Sequence, residues 1–462
     1  MTALALFALL LATPSAAEVP TPSVAEEARQ ILDQILAVDT SHGGETKVAA
    51  LIKERFDRAG IASQILESAP GRGNLIARLK GSGAKRPLLL LAHLDVVPVE
   101  GQAWNTPPFQ PTEQGGFLYA RGVSDDKAMV AAIAAVALEL QRSHAKLSRD
   151  LIIALTAGEE TGGSAGARWL VEHHRELIDA ELALNEGGAL ELDEQGQHVQ
   201  QAGIQPAEKT FQTFRLSVRG KGGHSSVPPL DNPITTLARA LIQVGELRLP
   251  ARVLPLVKGM LASAAAHEQG ALAQALRGAV ASAPGLKPED EAVLSKDRLY
   301  NAGIRTTCVA TMLRGSPQDN VLPTVAEAEV NCRILPDESI DQTQAALTGA
   351  IGNPAVEITR TTDFGAGGES PLRPDLEAAV RAATTKIWGS GVTVLQTMSA
   401  GATDSRYLRQ AGIAAYGIHV APGTLDDQRK GFGAHGANER RAVKFLAGGV
   451  QYLELITLAL AQ

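Results

Sequence analysis

The sequence predicts an α/β protein in which a larger domain, built on a mainly parallel sheet, is interrupted by a smaller α+β domain. Three observations lead to this prediction. Short apolar runs alternate with amphipathic stretches near both ends of the chain, the pattern of a parallel sheet covered by helices. Between them the order becomes β-α-β-β-α-β, typical of a ferredoxin-like two-layer domain. The chain has 462 residues, 45% of them apolar, enough for two or three domains.

Residues 18–208 begin the larger domain, with helices and strands in turn. Amphipathic periodicity predicts helices at Val24–Val38, Glu45–Ala59, Asp126–Gln141 and Ala165–His173. Short apolar runs predict strands at Asn74–Leu79, Pro87–Ala92, Leu151–Thr156 and Ala180–Asn185. The same domain resumes over residues 363–462, with helices at Pro374–Trp388 and Glu439–Ala461 and a strand at Gly412–Ile418.

Residues 209–362 form the predicted inserted domain. Alternating polar and apolar residues predict strands at Phe211–Arg219, Arg305–Arg314, Ala326–Ile334 and Val356–Arg360. Helical periodicity predicts helices at Asn232–Leu247 and Ile340–Ala350. An alanine-rich helical stretch at 248–298 interrupts this order, and we interpret it as a further insertion.

Composition excludes several classes of protein. The net charge is -7 and there is no basic cluster, which argues against nucleic acid or an anionic membrane surface as partner. The apolar run Met1–Ala12 and the small residues after it predict a signal peptide at residues 1–17, and hence a secreted or periplasmic protein. No other stretch reaches the length of a membrane span, so we expect no stable membrane insertion after signal removal.

The two cysteines, Cys308 and Cys332, are too few for a disulfide framework or a thiolate zinc site. They fall on predicted strands that can be neighbours. A disulfide and two buried free thiols are therefore both compatible with the sequence. Any metal must be bound by histidine and carboxylate groups.

The predicted strand ends carry such groups. His93 directly follows one strand, and Asp95 stands two residues later, at a spacing that lets its carboxylate accept the second N–H of a metal-bound imidazole. Asp125 stands in an acidic turn before a helix, where a helix cap is the ordinary interpretation. Glu159 and Glu160 follow another strand, and adjacent buried carboxylates are costly to ionise unless a cation neutralises them. These acids also argue against a phosphate-binding loop in the surrounding glycines.

Two more candidates are Glu186, after the next strand, and His435, before the last helix. In order and spacing, the set from His93 to Glu439 resembles the dinuclear zinc amidohydrolases of metallopeptidase family 20, which includes aminoacylases, carboxypeptidases and desuccinylases. The helical insertion and the segment after His224 look most like the carboxypeptidase S branch. The resemblance implies two Zn²⁺ per chain, with Co²⁺ or Mn²⁺ as possible substitutes.

The resemblance also implies a role for each residue. The implied metal ligands are His93 and Glu186 for one ion, Glu160 and His435 for the other, and Asp125 as the bridge. Three carboxylates and one bridging hydroxide would balance the charge of two Zn²⁺. Glu159, beside a ligand but not itself one, would be the general base, and Asp95 would assist it by orienting the ligand histidine.

The inserted domain is expected to complete the active site. His224 matches the family histidine that donates to the oxyanion, usually from the other protomer of a homodimer, although a solvated loop histidine is the alternative. Asn320 and Arg333 match positions that hold the substrate carboxylate, and Arg406 is a further candidate. For Arg333, a salt bridge on an exposed strand is equally compatible.

The expected function is therefore hydrolysis of an amide bond next to a free carboxylate. The substrate would be a small peptide or an N-acyl amino acid, and the enzyme a carboxypeptidase, a dipeptidase or an N-acyl-amino-acid hydrolase. One alternative is a metabolite deacylase of narrow specificity. Another is a binding protein that keeps the fold without catalysis, which Glu159 argues against because a binder needs no free base beside its ligands.

Overall fold

The computed structural model describes residues 22–362 and 364–462, so the predicted signal peptide lies outside the described residues. The strands are β1 Ser63–Glu67, β2 Gly73–Leu79, β3 Leu88–His93, β4 Thr112–Gln114, β5 Phe117–Tyr119, β6 Leu151–Thr156, β7 Leu182–Asn185, β8 Leu190–Leu192, β9 Val199–Glu208, β10 Thr210–Arg219, β11 Gly223–His224, β12 Thr307–Arg314, β13 Val321–Leu322, β14 Val325–Ile334, β15 Val356–Arg360, β16 Thr393–Ser399, β17 Ala414–Gly417 and β18 Arg440–Ala442.

Helices precede, separate and follow these strands. They are α1 Val24–Leu36, α2 Glu45–Arg58, α3 Lys127–Arg142, α4 Ala167–His173, α5 Arg175–Ile178, α6 Pro233–Glu246, α7 Pro255–His267, α8 Gly270–Ser282, α9 Pro288–Leu294, α10 Arg298–Ile304, α11 Ile340–Ile351, α12 Pro374–Trp388, α13 Ser405–Gln410, α14 Leu425–Arg429 and α15 Val443–Ala461.

The larger sheet has the strand order β1-β2-β6-β3-β7-β17-β9-β16, with β8 paired to β9. Its centre, from β6 through β3 and β7 to β17, is parallel, whereas β1, β2 and β8 join antiparallel. The predicted α/β class is confirmed, but the sheet is mixed. Every residue of β3, β6 and β7 is buried because helices cover both faces, which explains their continuous apolar runs.

A second sheet follows the order β12-β14-β10-β15, entirely antiparallel. Buried and half-buried residues alternate along β10 and β14, and α6 and α11 cover the buried face. This is the expected ferredoxin-like order, whose elements come from separated parts of the chain. Cys308 and Cys332 face each other across β12 and β14 and are joined by a disulfide, which decides between the two states that the sequence left open.

The alanine-rich insertion forms α7 to α10. Its apolar residues pack in a cluster with Ala207 and Met398 from the larger sheet and with Leu335 after β14. The insertion therefore contacts both sheets. The chain passes from the larger sheet to the second at Lys209, between β9 and β10. The predicted domain boundaries lie close to this crossing and remain predictions.

The last helix begins later than predicted. Arg440–Ala442 pairs with Phe117–Tyr119 as a strand, so the helix starts at Val443 rather than at Glu439. By length and composition, Val443–Ala461 would suffice to cross a membrane, contrary to the expectation that no such stretch follows the signal. Its apolar face instead packs on α1, α3 and α12 in the main core.

Candidate metal centre

The candidate centre lies where the carboxyl ends of the parallel strands β3, β6 and β7 meet. His93 is the last residue of β3, in register with the last residue of β6. Glu159 and Glu160 lie in the loop after β6, and Glu186 directly follows β7. Parallel strands end at one edge of a sheet, so three segments distant in sequence deliver their side chains to one place.

Asp125 stands between two histidines. Its Oδ1 is 2.9 Å from Nε2 of His93, and its Oδ2 is 3.2 Å from Nε2 of His435. The same His93 atom is 3.8 Å from Oε1 of Glu186, and the same His435 atom is 3.1 Å from Oε2 of Glu160. Two groups of possible metal ligands result, and both contain Asp125.

The electrostatics of this cluster favour cations. Burial opposes the charged form of His93, yet the carboxylates of Glu186 and Asp125 raise its pKa well above the usual range. Hydrogen bonds to Asp125 and Glu160 raise the pKa of His435 to about 10. Burial raises the pKa of Glu186 well above its usual range, and Asp125 adds to this. Protons on the two imidazoles thus provide positive charge that divalent ions can supply instead.

Asp95 connects the His93 ring to the loop after β6. Nδ1 of His93 lies 3.0 Å from the backbone oxygen of Asp95 and 3.5 Å from its carboxylate, so the expected carboxylate contact is the longer of the two. The Asp95 carboxylate instead accepts hydrogen bonds from the backbone N–H groups of Glu159 and Glu160, each at 3.1 Å. Asp95 therefore orients the His93 imidazole with its backbone oxygen and the Glu159–Glu160 turn with its carboxylate.

Glu159 is half-buried beside this turn and stays outside both ligand groups. Burial raises its pKa well above the usual range, and the charges of Asp404 and Glu160 act in the same direction. A carboxyl group with a raised pKa accepts a proton more readily than an ordinary one. Its position next to a possible ligand suits proton transfer near a bound ion.

Two buried residues that the sequence analysis did not single out support the Asp125 turn. Glu439 accepts hydrogen bonds from the backbone N–H groups of Gly122, Ser124 and Asp125, at 3.1, 2.6 and 3.2 Å. Arg121 donates to the same carboxylate at 2.7 Å. Both stand a few residues from a candidate ligand, which was the one available sequence signal.

Asp404 is a further buried acid that the sequence analysis did not assign. Its Oδ2 accepts a hydrogen bond of 2.9 Å from the hydroxyl of Thr156, the last residue of β6. Burial raises its pKa to about 7. Gly163 has no side chain where Asp404 approaches, since a Cβ there would lie 2.6 Å from Oδ1. Asp404 thus packs directly behind the Glu159–Glu160 loop.

The structure leaves His224 and Asn320 outside both ligand groups. The His224 side chain is exposed, and its Nδ1 accepts a hydrogen bond of 3.2 Å from the backbone N–H of Ser226 in its own loop. Asn320 is also exposed, and its backbone oxygen accepts a hydrogen bond of 3.0 Å from Ser225. These two residues therefore lie together on an exposed loop pair.

Arg333 and Arg406 lie near each other. Burial lowers the pKa of Arg333, and the Arg406 charge lowers it further. Arg406 is buried and donates to the backbone oxygen of Gly162 at 3.3 Å, while its Nε has no hydrogen-bond partner. Within the described part of the chain, neither guanidinium forms an ion pair with a carboxylate, and Nε of Arg333 donates instead to Oδ1 of Asn331 at 3.2 Å, so the surface salt bridge considered for Arg333 has no partner there.

Comparison with known proteins gives consistent results. The model of peptidase family M20/M25/M40 matches residues 89–459. The chain is 28% identical over 411 residues to an N-fatty-acyl-amino acid synthase/hydrolase, PM20D1, of Xenopus tropicalis, covering 88% of this chain and 79% of that protein. It is 28% identical over 341 residues to a probable succinyl-diaminopimelate desuccinylase of Staphylococcus aureus, covering 71% of this chain and 74% of that protein.

Among solved structures, the fold is similar to an M20 family metallo-carboxypeptidase of Sulfolobus solfataricus. The TM-score is 0.70 at 19% identity, and the alignment covers 94% of this chain and 99% of that one. At this identity the likeness supports the fold alone. The carboxypeptidase S branch remains a prediction, since the relatives named here are of other kinds.

Proposed function

The chain belongs to peptidase family M20/M25/M40 and is a metallo-amidohydrolase or peptidase, and from this premise we propose a dinuclear zinc enzyme that hydrolyses N-acyl amino acids. The observation that carries the proposal is the position of Asp125. Its two carboxylate oxygens face two different imidazoles, at 2.9 and 3.2 Å. A carboxylate placed in this way is suited to bridge two ions.

The donor set fits Zn²⁺. Zinc is bound by imidazole nitrogen and carboxylate oxygen, usually in four-coordinate sites. Every member of the two groups is such a donor, and Oε1 of Glu160 is buried without a hydrogen-bond partner among the described residues. Three ligand carboxylates would neutralise most of the charge of two Zn²⁺ ions. We assign His93, Asp125 and Glu186 to one ion and Asp125, Glu160 and His435 to the other.

The surrounding residues would carry out the proton transfers. Zn²⁺, when bound, would polarise the amide carbonyl as a Lewis acid and lower the pKa of water. Glu159 would accept the proton of the attacking water and later deliver it to the leaving amine. Asp95 would hold Glu159 in place through its bond to the backbone of that residue. His224 would donate a hydrogen bond to the oxyanion of the tetrahedral intermediate.

The substrate carboxylate would be bound by Arg333 and Arg406, with Asn320 as a further donor. Arg333 is half-buried and Arg406 buried, and neither forms an ion pair with a carboxylate among the described residues; this favours an anionic ligand, since a carboxylate relieves the repulsion between the two guanidinium groups. Among such substrates, we favour N-acyl amino acids over peptides because the two relatives matched in sequence are an N-fatty-acyl-amino acid synthase/hydrolase and a probable succinyl-diaminopimelate desuccinylase.

We also propose a homodimer in a secreted or periplasmic location. His224 is exposed on a loop in which Val227 is 79% exposed and Leu230 is fully exposed. Apolar side chains exposed in this way are expected where a loop contacts a partner. A second copy would bring His224 to the metal centre of the first. The disulfide between Cys308 and Cys332 suits an oxidising compartment, in agreement with the predicted signal peptide.

The proposal is tested by a substrate panel together with metal analysis. Purified protein is incubated with N-acyl amino acids, dipeptides and peptides ending in glutamate, each beside its carboxamide analogue, with and without a chelator. We expect turnover of N-acyl amino acids, loss of activity with chelator and recovery with Zn²⁺. Elemental analysis is expected to give two equivalents of zinc per chain.

Two results would contradict the proposal. A zinc content that stays below one equivalent after reconstitution would rule out the dinuclear centre. Turnover of the carboxamide analogues at least as fast as that of the free acids would rule out carboxylate recognition.

A further inference from the structure

A pair of phenylalanine rings stands between the two guanidinium groups assigned to the substrate carboxylate. Cζ of Arg333 lies 4.5 Å from the centre of the Phe211 ring, and Cζ of Arg406 lies 4.6 Å from the centre of the Phe364 ring. The two ring centres are 5.7 Å apart. Phe211 and Arg333 are register partners on β10 and β14, whereas Arg406 belongs to α13 beside the larger sheet. The ring pair thus connects cations held by the two sheets.

Phe364 also covers the loop that carries Glu159 and Glu160. A Cβ on Gly162 would lie 2.8 Å from Cζ of Phe364, so the ring is packed directly on this glycine. The Gly162 backbone oxygen in turn accepts hydrogen bonds from Arg406 and from the Tyr407 hydroxyl, at 3.3 and 2.5 Å. One ring therefore touches the proposed carboxylate-binding arginine and the loop of the proposed general base.

The position of Phe364 is itself held. Nε2 of Gln410 donates to the backbone oxygens of Phe364 and Ala366, each at 2.8 Å. The ring is half-buried and packs with the apolar cluster beside α4 and α13. Because hydrogen bonds hold the backbone of Phe364 and packing holds its ring, this residue can keep Arg406 and the Gly162 loop at a constant separation.

We propose that Phe364 is a specificity-determining positioning residue that sets the distance between the arginine pair and Glu159. A fixed distance selects substrates whose free carboxylate is one carbon from the scissile nitrogen, as in N-acyl α-amino acids, over those with a longer spacing, as in N-acyl β-amino acids. This inference rests on the proposed function, since it requires Arg333 and Arg406 to bind the substrate carboxylate. It adds the spacer residue and the substrate class that the spacer selects.

The test compares three substrates with the same acyl group: an N-acyl α-alanine, the matching N-acyl β-alanine and the carboxamide of the α-compound. The wild type is expected to prefer the α-compound. In Phe364→Leu the KM for the α-compound is expected to rise about tenfold, the size of one lost cation–π and packing contact, with a smaller change in kcat. The α-to-β preference falls accordingly, while turnover of the carboxamide stays as in the wild type.

A further variant separates positioning from folding. Phe445→Leu removes a buried aromatic ring from α15 and is expected to leave the preference unchanged. Zinc content and the unfolding midpoint are measured for every variant, so that a variant that has lost its fold is recognised.

The outcomes distinguish the two proposals. A wild type that turns over the carboxamide as well as the free acid overturns the proposed carboxylate recognition, and this inference with it. A wild type that prefers the α-carboxylate, with a Phe364→Leu variant that keeps the same preference, overturns this inference alone. An equal loss on all three substrates, at normal zinc content, assigns Phe364 a purely structural role and also overturns it.

Discussion

At the scale of single residues, the carboxylates of Asp125, Glu439 and Asp95 each have their own set of hydrogen-bond partners. Asp125 offers one oxygen to each histidine, and Glu439 holds the Asp125 turn through three backbone N–H groups. Asp95 holds the backbone of Glu159 and Glu160. Adjacent glutamates on one fixed turn can therefore have different roles, since only Glu160 reaches a histidine of the ligand groups.

The first prediction separates those roles. Glu159→Gln is expected to keep both metal ions and to lose turnover by about a hundredfold or more, because the amide keeps the shape but cannot accept a proton. Glu160→Gln is expected to lower the metal content instead. Elemental analysis and kcat measured at saturating zinc check both variants. If the two variants lose metal and activity in the same way, the base and ligand assignments are wrong.

At the scale of elements, the disulfide connects β12 to the neighbouring β14. Cys308 and Cys332 are separated by 24 residues in sequence, and β12 is an outer strand of its sheet. The closed loop contains the turn that carries Asn320. A covalent link here restricts the unfolded chain and holds an edge strand in place.

The second prediction concerns this link. The double variant Cys308→Ser, Cys332→Ser is expected to lose about 2–4 kcal/mol in the free energy of unfolding of the second sheet and its helices, because the unfolded chain gains conformational entropy. Denaturant unfolding with and without a reducing agent measures the change. The reducing agent should lower the wild-type midpoint and leave that of the double variant unchanged. An unchanged wild-type midpoint would contradict the prediction.

Lys209 is the connection between the two sheets and is fully buried. Its Nζ donates to the backbone oxygen of Arg305 at 2.5 Å. Burial lowers its pKa to about 7; the charge of Glu338 opposes this shift, and that of Arg333 adds to it. Below pH 7 the buried amine is charged in both the folded and the unfolded chain, so the folded state carries the full cost of burying the charge. As the pH rises from 7 toward the unfolded pKa of 10.5, this cost disappears and stability increases.

The third prediction follows from this sign. Lys209→Met removes the buried charge. The unfolding temperature of the variant minus that of the wild type should therefore be higher at pH 6 than at pH 9.5. The exposed Lys296→Met variant is the matched control and should show no such pH dependence. Thermal unfolding at both pH values gives the comparison. A difference that is the same at both pH values would contradict the assignment.

At the scale of the whole molecule, the candidate ligands lie at the end of β3 and in the loops beside the larger sheet, whereas Arg333 lies on the second sheet and His224 on the short strand pair β11–β13. Arg333 already lies close to Arg406, whereas the His224 ring makes its hydrogen bond within its own exposed loop. The exposed apolar residues of this part of the chain include Val309, Met312 and Leu313 on the outer strand β12. An unpaired outer strand and an apolar loop are features of protein–protein contact surfaces.

The fourth prediction tests the homodimer through its active sites. His224→Ala and Glu159→Ala are each expected to be inactive. After subunit exchange, a mixed dimer contains one site with an intact Glu159 that receives His224 from the other chain, so activity should return to about a quarter of the wild-type value. Exchange is monitored with differently tagged chains. Mixed dimers without activity would show that His224 does not act across the interface.

Much of the fold could be predicted from local patterns. Leu151–Thr156 and Val356–Arg360 have the predicted bounds because runs of apolar or alternating residues end there at turn residues. Val199–Glu208 was not predicted because its glutamines, glycine and proline conceal a strand whose place depends on β16, β17 and β8. Arg440–Ala442 was assigned to a helix because its strand partner lies more than 300 residues earlier in the sequence.

The sequence by itself determined which residue types stand at the strand ends, and hence that the chain offers two histidines and several acids for metal binding. Only the tertiary structure decided that Asp125 lies between His93 and His435, that Asp95 contacts the ring mainly through its backbone, and that the two cysteines are joined. Strand ends and spacing are local properties of the chain. Distances between side chains depend on how the sheet brings remote segments together, and burial determines which of those charges need a partner.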